Sequence, residues 1–268
     1  MKQLQDFAGR VSVVVSSCDA FFDAWRPFAF FFRKFWPDCP LPVYLITNEL
    51  DVRSDFIRPL RVGRDKGWAS NMRIALDQIE TPYLFYLQED YFLNTPVDNA
   101  QLARDFSCAF ERDSASLCFY DLSGIGETAS VRIGDHLVEV PPESKGRTRL
   151  QATLWKRDAL RATLRSGETA WEMEARGSER TRELLMLAYA RTEAAPIKYL
   201  ASAIVRGLWT AEALSLCRAH GLEVRPRFRG HLVDGKIRRR WRRALSRARL
   251  YLALIWQRGK PIDLDRPD

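Results

Sequence analysis

A chain of 268 residues with 46% hydrophobic content carries enough apolar material for a full core, which excludes a disordered protein and fits one large α/β domain or two small ones. Its net charge of +8 is uneven, because residues 225–260 hold 13 Lys and Arg against the single acid Asp234, a local +12 that leaves −4 for the remainder. An acidic body with a basic tail argues against a nucleic-acid groove across the body, and no nucleic-acid partner is expected.

In chain order, VSVVV (11–15) is a β-branched run of strand length followed by the small polar residues SSCD. FFDAWRPFAFFFRKFW (21–36) places Phe21, Trp25, Phe28, Phe32 and Phe35 at spacings of three and four, so a helix is expected, with Pro27 in its first turn or kinking it. PVYLITNE (42–49) reads as a second strand. KGWASNMRIALDQI (66–79) puts Trp68, Met72, Ala75, Leu76 and Ile79 on one side of an amphipathic helix that starts near Ala69 or Ser70. PYLFYL (82–87) is a third buried strand, and it runs into Gln88, Glu89 and Asp90.

Strand, helix, strand, helix, strand is the pattern of an open, mostly parallel α/β sheet, which binds ligands beyond the C-terminal ends of its strands. Polar residues follow each run there: Ser16, Ser17 and Asp19, then Asn48 and Glu49, then Gln88, Glu89 and Asp90. Loop chemistry accounts for any one group, but three groups converging on one sheet edge point to a site. There is no GxGxxG, no GxxxxGK[ST], no HExxH and no GxSxG, so carboxylates are the chemistry that remains, and they suit a hard cation such as Mg²⁺ or Mn²⁺ bridged to a diphosphate.

The five cysteines, Cys18, Cys39, Cys108, Cys118 and Cys217, are scattered without a CxxC pair and read as reduced thiols. The N-terminus lacks the apolar centre of a signal peptide, and no run approaches the roughly 18 apolar residues of a membrane span, so a cytoplasmic location is expected.

The first strand ending in Ser and Asp, the helix KGWASNMRIAL and the strand running into QED resemble the nucleotide-sugar-binding half of a GT-A-fold glycosyltransferase, over residues 10–100 and more loosely to about 200. In that family an acidic DxD-like motif binds metal and sugar nucleotide, and QED stands in its place, with Gln88 at the first acidic position. The resemblance implies that Asp90 is the metal ligand with Glu89 beside it. It also implies that Asp19 and Asn48 or Glu49 face the nucleoside, and that Asn71 and Arg73 lie near the sugar or diphosphate. Asn71 and Arg73 are equally consistent with the solvated face of a helix.

Downstream, a helix is expected over 156–165, then WEME and a further helix. By the same resemblance Glu174, with Glu172 in reserve, is the base that deprotonates the acceptor in an inverting transfer. If WEME is helical the two acids diverge, and both are also placed to pair with Arg176 or Arg180 as surface acids. His231, in RGHLVDG, is a candidate late metal or diphosphate contact or a plain loop His.

The tail (236–260) places Ile237, Trp241, Leu245, Ala248, Leu252 and Ile255 on one stripe and arginines elsewhere, and its apolar end LYLALIW is seven residues long. It reads as an interfacial helix touching anionic membrane, with an Arg-rich nucleic-acid helix or a helix docked on the body as the rival readings. The expected organisation is a GT-A-like catalytic domain over 1–235, divided into a nucleotide-sugar half (10–100) and an acceptor half (101–235), followed by a basic amphipathic helix over 236–268. The expected function is transfer from a nucleotide-sugar donor to a lipid-linked saccharide or polysaccharide acceptor, by an enzyme peripheral to the inner face of the cell membrane. The alternatives are a non-enzymatic nucleic-acid or membrane-binding module, or a sugar nucleotidyltransferase.

Overall fold

The computed structural model describes residues 2–121, 131–224, 228–232 and 236–266, with the backbone alone for 121, 236–243 and 247. Nine strands form one sheet: β1 (Val11–Ser16), β2 (Val43–Thr47), β3 (Ile57–Arg61), β4 (Tyr83–Gln88), β5 (Ser116–Asp121), β6 (Arg132–Ile133), β7 (Leu137–Glu139), β8 (Thr153–Lys156) and β9 (Met186–Tyr189). Their spatial order is β3-β2-β1-β4-β8-β5-β9-β7-β6. β3, β2, β1 and β4 are mutually parallel, as are β5 and β9, while β8 runs antiparallel between β4 and β5 and β7 antiparallel between β9 and β6. The helices are α1 (Phe22–Phe35), α2 (Trp68–Leu76), α3 (Asn99–Glu111), α4 (Arg157–Thr163), α5 (Ala170–Arg180), α6 (Ala211–Ala219) and α7 (Lys236–Gln257). This is the expected open, mostly parallel α/β sheet flanked by helices, with a helix near the C-terminus.

Continuous apolar runs are explained by burial on both faces of the sheet. Val13, Val15, Phe85 and Leu87 point into a core shared with Trp25, Phe28 and Phe32 of α1 and Leu102 and Phe106 of α3. Val14, Leu84 and Tyr86 point the other way, onto Met72 of α2, Leu160 of α4 and Met173 of α5. The strand and helix expectations for the first 90 residues hold to within a few residues at each end. Two details differ. Pro27 lies inside α1, in its second turn, after a short 3₁₀ turn at Asp19–Phe21. α2 begins at Trp68, because Gly67 adopts φ +86° at its N-cap, a conformation other residues rarely take.

α7 rests on the body through Ser246, Leu250 and Ala253. Leu245, Leu252 and Ile255 of the expected stripe face solvent together with Tyr251 and Trp256, whereas the side chains of Ile237 and Trp241 lie outside the described residues. Beyond α7 the chain returns to the body. Ile262–Asp263 pairs in parallel with Val52–Arg53, and the Asp265 carboxylate accepts from Ser54 Oγ at 3.1 Å and from the Asp55 amide at 2.7 Å. Among the described residues no helix is long and apolar enough to cross a membrane.

Candidate functional site

β1 and β4 end side by side, with Ser16 paired to Gln88, and a cleft of about 260 Å³ opens beyond them. Of the residues expected from sequence, Ser16, Ser17, Asn71, Gln88 and Glu89 line it; the others do not. Trp68 donates its indole N–H to Ser16 Oγ at 3.0 Å, fixing the first turn of α2 over the end of β1. Asn71 accepts from the Lys66 amide at 3.1 Å and donates to Asp65 Oδ1 at 2.8 Å, so the loop before α2 is folded onto it and carries the Asp65 carboxylate to the cleft. Cys18 also lines the cleft. Burial, with Glu89 and Asp65 nearby, pushes its thiol up to about 12, which keeps it protonated.

The acidic pair sits deep. Glu89 and Asp90 are 7% and 6% exposed. Burial, then the Asp90 charge, raises the Glu89 carboxyl well above its ordinary range. Burial raises Asp90 to about 6, against the opposing effect of the Ile204 amide, which donates to Asp90 Oδ2 at 3.2 Å. Arg229 lies close enough to favour both charges, but its own guanidinium is held by Asp23 at 2.6 Å and by the Ala20 carbonyl at 2.5 Å, with its plane over the Phe21 ring. Among the described residues no Lys or Arg lines the cleft, and no group of three or more His, Cys, Asp and Glu is arranged to hold a metal. Of the two acids Glu89 lines the cleft and Asp90 lies behind it, so a divalent cation seated on them would need its remaining ligands from a bound molecule.

The residues expected to face the nucleoside are placed otherwise. The Asp19 carboxylate turns back to accept from the amides of Asn48, Glu49 and Leu50 at 2.7, 2.8 and 2.9 Å, and the Asn48 side chain accepts from the Asp19 amide at 3.0 Å. They clip the loop after β2 to the loop after β1, a job for which a short acceptor beside free amides is suited. Glu49 pairs with Arg258 beyond α7, at 2.9 Å on the surface. Arg73 is half-buried on α2 away from the cleft. His231 is exposed and bridges to Trp209.

WEME is helical, and its two acids diverge. Glu172 is the N3 residue of a capping box: its carboxylate accepts from the Thr169 amide at 2.9 Å while Thr169 Oγ1 accepts from the Glu172 amide at 3.2 Å. It also stands 3.8 Å from Arg176. Glu174 turns inward, where Oε1 accepts from the Leu150 amide at 2.7 Å. The Leu150 carbonyl in turn accepts from Gln88 Nε2 at 3.1 Å and from the Tyr91 hydroxyl at 2.8 Å, so one residue couples Glu174 to the QED segment. Burial raises the Glu174 carboxyl, opposed by that amide and by Arg149.

Sequence reasoning passed over Asp65, Cys18, Trp68 as a cleft residue, Trp171 and Arg229. Asp65 sits two residues before Gly67 at the start of α2, where it accepts from the Gly67 amide at 2.9 Å; Arg229 left no local sign, since its partner is 206 residues away.

No protein-family model matches the sequence, and no curated protein matches it. Solved structures with a similar chain path include residues 1–349 of TarS from S. aureus, 14% identical with a TM-score of 0.46, covering 70% of this chain and 60% of that one. Others are the galactosyltransferase LgtC in complex with donor and acceptor sugar analogs (9% identical, TM-score 0.38, 77% and 78% covered) and a UDP-glucose pyrophosphorylase (7%, 0.41, 71% and 91%). Identities this low say nothing of activity.

Proposed function

We propose that this protein is a glycosyltransferase that moves a sugar from a nucleotide-sugar donor in the cleft to a hydroxyl of a lipid-linked saccharide or polysaccharide, with inversion and with a divalent cation on the diphosphate. The observation that carries the reading is the charge of the cleft. Asp65 and Glu89 line it, Asp90 adjoins Glu89, and no cationic side chain among the described residues offers a seat to phosphate. A phosphorylated ligand needs a cation to sit there, and the ends of parallel strands are where such ligands bind.

In this reading Asp90, with Glu89, would hold Mn²⁺ or Mg²⁺, which would supply positive charge against that developing on the departing diphosphate. Ser16, Ser17, Asn71 and Gln88 present hydroxyl and amide groups to the nucleotide. Glu174 takes the proton of the acceptor hydroxyl as that oxygen bonds to the anomeric carbon and the bond to the diphosphate breaks; burial raises the proton affinity of its carboxyl, which favours that role. The exposed apolar face of α7 and the basic residues of 225–260 bring the enzyme to anionic lipid on the inner face of the membrane.

The test is a calorimetric titration with UDP, GDP, ADP and CDP, in Mn²⁺ and in EDTA. One nucleoside diphosphate is expected to bind in Mn²⁺ alone, and Asp90→Asn to abolish that binding. Equal affinity in EDTA, or no binding of any of the four, overturns the reading.

A further inference from the structure

We propose that the indole of Trp171 is the platform on which the sugar ring of the donor stacks, which makes it a specificity-determining residue of the cleft; this rests on the nucleotide-sugar reading above. Trp171 is 81% exposed, more than any other large hydrophobic side chain among the described residues, yet it lines the cleft together with Ser16, Asp65 and Glu89. An open indole with buried carboxylates and hydroxyl groups along the same cleft is the mixture of apolar surface and a few polar groups that small-molecule sites present.

The helix that carries the indole is anchored at both ends. The Thr169–Glu172 capping box fixes the first turn of α5, and the Glu168 carboxylate before it is gripped by Arg180 through two bonds of 2.9 and 2.8 Å. The Glu168 carbonyl accepts from the Ala69 amide at 3.3 Å, tying the start of α5 to α2. Further along α5, Gly177 packs so closely on Thr148 that an added Cβ would lie 2.6 Å from Thr148 Oγ1.

Position selects the sugar over the base. Across the sheet edge the strands run β2, β1, β4, β8, and the acid pair follows β4. The side toward β1 and β2 carries Ser16, Ser17, Asp65 and Asn71, a polar wall suited to a nucleoside. On the other side Leu150, just before β8, holds Glu174, and Trp171 is three residues earlier on the same face of α5. The anomeric carbon must lie between the diphosphate and the base, so the ring attached to it falls beside Trp171. The C–H face of a pyranose matches the electron-rich face of an indole and leaves its hydroxyls at the edge for polar partners.

The experiment titrates the nucleoside diphosphate that binds wild type in Mn²⁺, and its glucose, galactose, mannose and N-acetylglucosamine esters, into wild type, Trp171→Ala and Trp171→Phe. The alanine variant is expected to weaken the tightest-binding sugar ester about tenfold while holding the free diphosphate within about twofold, with the phenylalanine variant in between. Equal weakening of ester and free diphosphate would mean that the indole holds the nucleotide, and unchanged binding of both would mean that it holds nothing; either overturns the proposal. Failure of wild type to bind any nucleoside diphosphate overturns the parent reading and this one with it, and is seen without any Trp171 variant.

Discussion

Replacing Asp90 by Asn probes the acid pair through stability, before any substrate is known. An Asn side-chain oxygen can still accept the Ile204 amide that Asp90 Oδ2 accepts at 3.2 Å, so the local backbone keeps its partner. What changes is charge. Burial lifts the Asp90 carboxyl from 3.8 to about 6, and two units correspond to about 3 kcal/mol of unfavourable ionisation at pH 7 in metal-free protein. Because the folded state holds that proton more tightly than the unfolded state, metal-free wild type should lose stability as pH rises from about 4 to about 6, and the variant should not show this loss. Urea unfolding at pH 7 should therefore find Asp90→Asn at least as stable as wild type and up to about 3 kcal/mol more so, with the difference vanishing near pH 4. Mn²⁺ at a hundred times its dissociation constant should add about 2.7 kcal/mol to wild type and nothing to the variant. A variant less stable than wild type by more than about 1 kcal/mol at pH 7, or a wild type indifferent to Mn²⁺, refutes the reasoning and makes the carboxylate a structural one.

Glu174→Gln should lower turnover by about 10²- to 10⁴-fold while nucleotide affinity stays unchanged, whereas Glu172→Gln should keep turnover and only lower the unfolding midpoint slightly; the reverse pattern would exchange the two roles. Arg229→Met leaves the Asp23 carboxylate, whose side chain is 10% exposed, without its partner, so chemical denaturation should show a loss of about 3–5 kcal/mol, and a smaller loss than about 1 kcal/mol would show that the pair is solvated. Wild type should float with anionic vesicles, less so as salt rises, since each basic side chain contributes at most about 1 kcal/mol near such a surface and is screened. Changing Leu252, Ile255 and Trp256 together to Ser should remove the salt-resistant part of that binding, and an unaltered profile would mean that the exposed face of α7 touches no lipid.

The elements read correctly from sequence share one property: β1, β2 and β4 are buried on both faces and so appear as unbroken apolar runs, and α1 and α2 carry their apolar residues at helical spacing. β3 escaped notice because IRPLR contains Pro59 and two arginines, a composition that only an edge strand tolerates, and β3 is at the edge. β5 and β9 are short apolar runs without a distinguishing period. At the site, the position of the acids after β4 was legible because strand ends are. The direction of Asp19 was not, since a carboxylate after a strand can face a ligand or cap its neighbour's loop, and only the arrival of three free amides decides. Thr169 and Glu172 had the spacing of a capping box, so the structural role of Glu172 could have been seen.

The return of residues 262–265 to the body changes what α7 can be mechanically. A helix followed by a loose end would act as a leash, letting the cleft wander over a surface at distances set by chain entropy. α7 is instead fastened at its far end by the pairing at Val52–Arg53 and along its length by Ser246, Leu250 and Ala253, and it touches the Asp19–Phe21 turn whose last residue lines the cleft. It is a strut of 22 residues, about 33 Å long. A bilayer lying against its outer face would therefore meet the cleft at one height and one tilt. On the proposed reading, an acceptor hydroxyl held at that height above the lipid would be favoured over those closer in or farther out.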